Sequence, residues 1–205
     1  MFKDIISLQN IRLSLFIALI LALILPIHSA MAAPKSIAVT TSKDIVDASN
    51  VSSLTALQQS PGPDGRISLR EAMLAAEATP PGDAIQISFN ISPAFMDVQT
   101  KTWEIYLNSF DPKAHRTMPL PALKRGNVSI DASTQPGDAP LPRVFVNGFE
   151  INEPVAGDNI GFRIQSASNT IHALGLINFY DTAVSYTHLR AHETDSYLVC
   201  RLLLE

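Results

Sequence analysis

The sequence predicts an all-β chain of short strands wound as a solenoid, with one short α-helix near its start; a β-sandwich is the alternative. Three observations lead there. From Asp83 onward, segments that alternate apolar and polar residues follow one another at varying spacing, the later ones about every 10–20 residues, without helices between them. Ahead of them, Ser68 and Glu71 are spaced as a capping box, with Leu69, Ala72, Met73 and Ala76 following at helical intervals. Finally, Ile171, Leu174, Leu176 and Phe179 are punctuated by Asn169, Gly175 and Asn178, the pattern of a coil bending repeatedly around a core.

Residues 1–32 read as an export signal. Lys3 and Arg12 lead into the apolar run Leu13–Leu25, Pro26 breaks it, and Ala30-Met31-Ala32 supplies small residues for cleavage after Ala32. A membrane anchor is the competing reading, but the run falls short of the ~20 residues that span a bilayer. Lys35–Thr41 is the first strand, with Ile37 and Val39 on one face. Ser42–Pro63 is a polar loop with a helical turn at Leu54–Leu57, and Pro61-Gly62-Pro63-Asp64-Gly65 is a concentrated turn signal. Ser68 then caps a helix over about 68–78, which Pro80-Pro81 ends because neither proline can continue the ladder. Strands follow at Asp83–Asn90, Thr102–Leu107, Asn127–Asp131, Arg143–Asn147 and Gly161–Gln165, then the run Asn169–Phe179. Asn147-Gly148 is the one hairpin-type dipeptide among these strands, and it keeps the sandwich open.

Ile67-Ser68-Leu69-Arg70-Glu71-Ala72, with Ala75-Ala76 and the Asp83–Phe89 strand, resembles the CSLREA domain, which opens exported bacterial proteins of the pectin-lyase-like fold. Ser129–Gly137 resembles that family's "IDGxSQPG" element, and Asn169–Phe179 its rung pattern "NTIxGLxIxNF". The resemblance runs from about Ile37 to Ala183. It implies that residues 33–183 are the N-terminal cap and first rungs of a right-handed parallel β-helix. The sequence departs from the family at Ile67, where Cys is usual, and at Ala132 and Ala173, where Gly is usual. The Ser49–Pro63 loop is also longer. The open end of a solenoid recruits other chains unless it is covered. Ser68, Leu69, Arg70, Glu71, Ala72, Met73 and Ala76 are therefore expected to form a structural cap. Glu71 would complete the capping box, and Arg70 would pair with an acidic neighbour or a strand carbonyl.

Residues 184–205 stand apart. Val184–Thr194 and Leu198–Glu205 resemble the translated halves of a sequencing-library adapter, with Asp195-Ser196-Tyr197 where an index would fall. They are expected to be a non-biological tail that packs poorly against the rest, leaving a truncated natural chain. His188, His192 and Glu193 suggest zinc, but Glu follows the second His instead of the first, as H-E-x-x-H requires.

With 15 Lys+Arg against 19 Asp+Glu and no basic block, neither nucleic acid nor polybasic membrane docking is supported. One cysteine, Cys200, excludes a disulfide framework. Asp131, Asp138, Asp158 and Asp181 lack a calcium-loop spacing and read as solvated turn carboxylates. His115 is isolated, and His172 falls on the opposite strand face from Ile171. No catalytic set, cofactor site or metal site emerges. The expectation is a non-catalytic, adhesin-like surface protein, exported, with no membrane span after signal cleavage. The resemblance implies carbohydrate or protein contacts through further rungs. A truncated polysaccharide lyase of the same fold is the alternative.

Overall fold

Alternation at every second residue makes each strand two-faced, and the structure buries one face of nearly all of them. In the computed structural model, residues 33–113, 116–151, 159–180 and 182–186 are described. The strands are β1 (Lys35–Val39), β2 (Ile85–Phe89), β3 (Trp103–Tyr106), β4 (Phe110–Asp111), β5 (Arg116–Thr117), β6 (Val128–Asp131), β7 (Val144–Asn147), β8 (Ile160–Ile164), β9 (Thr170–His172), β10 (Leu174–Ile177) and β11 (Thr182–Tyr186). Two helices, α1 (Leu54–Gln59) and α2 (Leu69–Ala78), lie between β1 and β2. Among the described residues, strands thus predominate over helices.

Three parallel ladders organise these strands. Ladder A runs β1-β2-β6-β9, ladder B runs β3-β7-β10, and ladder C pairs β8 with β11. Leu123 extends ladder C through a parallel bridge to Ile164. In chain order β6, β7 and β8 visit A, B and C, and β9, β10 and β11 visit them again. Only the short β4–β5 hairpin is antiparallel among the named strand pairs. The Asn147-Gly148 step is not a hairpin turn, since β7 pairs in parallel with both β3 and β10. An antiparallel sandwich is therefore not the architecture.

Register sets the core. On ladder A, Ile37, Ile87, Ile130 and Ile171 stack in successive strands, all buried. On ladder B, Val144 sits between Trp103 and Leu174, and Val146 between Ile105 and Leu176. Each such side chain contributes about 1.5–3 kcal/mol when fully buried. Like residues stack because a parallel, in-register return places the same pleat position directly above its predecessor.

The corners need unusual backbone. The run read as one segment, Asn169–Phe179, is broken into β9 and β10 at Ala173, whose φ is +53°. Asn178 (φ +58°) turns the chain out of β10, and its Nδ2 donates to Asn147 Oδ1 at 3.1 Å. Asn147 Oδ1 also accepts from the Phe149 amide, so stacked asparagines satisfy successive turns. Ala132, the other departure from glycine, lies buried in a 3-10 turn (Ala132–Thr134) and shows no positive φ. Strand β11 runs through the Ala183–Val184 junction, pairing Val184 with Phe162 and Tyr186 with Ile164. The pairing thus carries three residues past the boundary drawn from sequence. His115, Asp158, Asp181, the His188/His192/Glu193 cluster and Cys200 lie outside the described residues.

Candidate functional site

The cap is built around α2. Ser68 Oγ accepts from the Glu71 amide at 3.1 Å, and Glu71 Oε2 accepts from the Ser68 amide at 2.9 Å, closing the capping box. The free Oε1 of Glu71 takes the amides of Asp47 and Ala48, and Ser68 Oγ donates to the Ile45 carbonyl. A local helix-start signal therefore also anchors the loop after β1. Leu69, Ala72, Met73 and Ala76 are all buried, and α2 packs on β1 and β2.

Gln58 and the segment before α2 finish the edge of β1. Lys35 donates to Ala84 and Asn90 donates to the Val39 carbonyl, so the odd positions of β1 face β2. Ser36 and Thr40 therefore point their backbone groups to the other edge. There Gln58 Nε2 donates to the Ser36 carbonyl at 2.8 Å, and the Thr40 amide donates to Ile67 at 2.8 Å.

Arg70 is the most deeply committed polar residue of the cap. Its Nε and Nη2 bond the two oxygens of Asp44 at 2.7 and 2.8 Å, with side chains 6% and 1% exposed. Nη1 and Nη2 also donate to the carbonyls of Pro119 (2.6 Å) and Met118 (2.8 Å), while Asp44 Oδ2 accepts from the Ser109 amide. Four separate chain segments meet at this pair. Four of the five guanidinium N–H groups of Arg70 have fixed acceptors, and Glu71 accepts three backbone amides, so both side chains join separate segments of the cap. An open, mostly apolar groove of about 540 Å³ lies beside Arg70, between Leu74, Phe110 and Leu120.

Nearby, the Asp47 carboxyl is pushed above its ordinary value, first by burial and then by the negative charges of Asp64 and Glu71. Among the described residues no group of three or more His, Cys, Asp or Glu side chains is arranged to hold a metal ion. Nor is any described helix long and apolar enough to cross a membrane.

The outer face of ladder A is the second polar assembly. Its rows, set by register, are Ser36, Gln86, Ser129 and Thr170, then Ala38, Ser88, Asp131 and His172. Asp131 Oδ1 accepts from the Ser133 amide and hydroxyl (3.0 and 2.6 Å) and contacts His172 Nδ1 at 3.0 Å. Burial pushes the Asp131 carboxyl up, but the hydrogen bonds from Ser133 and His172 outweigh it and hold the group below its ordinary range. An Asp–His pair invites comparison with a nucleophile triad. The neighbouring hydroxyls are otherwise engaged, since Ser133 donates to Asp131 and Ser88 to the Ile37 carbonyl at 3.2 Å. The pair therefore acts as a surface latch between β6 and β9.

At the strand-start end of the same face lies an open groove of about 350 Å³. Gln86, Asn127, Ser129 and Ser168 line it together with Pro34 and Ala84. Sequence reasoning missed this groove and Asp44 alike, because residues more than 20 positions apart meet there, through strand register in the groove and through the packing of a loop on α2 at Asp44. Comparison of the chain with protein-family models, with curated proteins and with solved structures found no match.

Proposed function

We propose that this chain is the N-terminal capping part of an exported, right-handed parallel β-helix protein of the cell surface, which works by presenting its outer faces and not by catalysis. The in-register isoleucine row of ladder A, reached by repeated return of the chain to the same three ladders, carries the proposal. Right-handedness follows from the strong preference of parallel crossover connections for that hand. The helix and Gln58 covering β1 fit a terminus that must not recruit other strands. Export rests on the leader, and the polar outer rows of ladder A suit a solvent-facing display.

Two measurements test it. Ala38 and Ser88 are parallel partners, and adjacent strands lie about 4.8 Å apart, within disulfide reach. Ala38→Cys with Ser88→Cys should give a 38–88 disulfide in peptide mapping; failure to crosslink under oxidation refutes the coil. Expressed with its own leader, the protein should leave the cytoplasm with Ala33 as its new N-terminus. Retention inside with an intact leader refutes export.

A further inference from the structure

We propose that the groove lined by Gln86, Asn127, Ser129 and Ser168 binds a neutral saccharide chain, an inference that rests on the surface-display reading above and names its ligand face. The groove, about 350 Å³, is within the range of small-ligand sites and is open to solvent. Its four polar side chains have no protein hydrogen-bond partner among the described residues. Two are carboxamides and two are hydroxyls, so each both donates and accepts, which is what neighbouring sugar hydroxyls demand. Pro34 and Ala84 add apolar lining against which the C–H face of a ring can rest.

Charge selects against acidic sugars. No ionisable side chain lines the groove, and the nearby Lys35 is paired with Asp83 at 2.8 Å. Two residues further along β6 from Ser129, roughly 6.6 Å on the same face, Asp131 presents a carboxylate held in its ionised form. A uronate chain lying along these strands would meet that carboxylate with no unpaired Lys or Arg in the groove lining. Backbone geometry points to the same place. Asn127 (φ +54°) and Ser168 (φ +61°) occupy the left-handed region where glycine would be unstrained, yet each keeps a polar side chain lining the groove.

The test uses the mature chain with cellohexaose, mannohexaose and hexagalacturonic acid, read by calorimetry and ligand-observed NMR. At least one neutral hexaose should bind, and at least tenfold tighter than the acidic hexamer. Gln86→Ala and Ser129→Ala, both on regular strands, should each weaken that binding about fivefold, the net worth of one ordinary hydrogen bond. Equal or tighter binding of hexagalacturonic acid overturns the proposal. So does wild-type affinity in both variants, or no neutral binding up to about 10 mM, where a contact is too weak to be specific. The 38–88 crosslink separates the two failures. If it forms and no sugar binds, only the ligand assignment falls; if it does not form, the coil falls with it.

Discussion

Replacing Arg70 by Met removes the guanidinium while keeping much of the aliphatic stem, so it isolates the polar network of the cap. Asp44 would then keep only the Ser109 amide, and the carbonyls of Met118 and Pro119 would lose their shared donor. Breaking one partner of a buried ion pair costs about 3–5 kcal/mol, because the other charge is left uncompensated. The two orphaned carbonyls place this case in the upper half of that range. Against a domain stability of about 5–15 kcal/mol, the variant gives up about a quarter or more of its margin. With a urea slope of about 2 kcal/mol/M, the unfolding midpoint should fall by about 2–2.5 M. Arg70→Lys should recover little, since one ammonium cannot span both Asp44 oxygens and two carbonyls. Asp44→Leu placed on top of Arg70→Met should cost at least about 1 kcal/mol less than Asp44→Leu alone. A midpoint within about 0.3 M of wild type, or strictly additive losses, would show that the pair does not hold the cap together.

Three further outcomes follow from the same geometry. Leu69→Asp puts a carboxylate where 1% of the residue is exposed, and should cost more than about 4 kcal/mol and drive aggregation in light scattering; a folded monomer would refute the cap. Asp47 has a raised folded-state pKa, so its contribution is full below the ordinary carboxylate range and is lost as pH rises through the raised value. Asp47→Asn should therefore raise the melting temperature at pH 7 and leave it unchanged near pH 3, and the opposite pattern would mean that burial and Asp64 do not act on this group. Ala173→Gly relieves a φ of +53° and should stabilise the chain by about 0.5–1 kcal/mol in urea melts, with no gain counting against strain at that corner.

Local chemistry settled much of the secondary structure from sequence alone. Ser68 and Glu71 cap α2 because the groups that complete each other lie three residues apart, and Pro80-Pro81 end it for an equally local reason. Ile85/Ile87/Phe89 and Trp103/Ile105 were legible as buried faces because the strand pleat fixes their alternation. Tertiary structure decided what those faces meet. Arg70 finds Asp44 across 26 residues, and His172 finds Asp131 across 41, in separations that no periodicity encodes. Gln86, Asn127 and Ser129, read only as members of strand segments, became with Ser168 a groove once register set them side by side. The short β4–β5 hairpin was invisible, since its strands are two residues long, whereas the bend at Ala173 was foreshadowed by the punctuated pattern of Asn169–Phe179 but not located. Period and capping are properties of neighbours along the chain, whereas register is a property of the whole core. The sequence therefore determined the elements, and only the packed core decided which of them are partners.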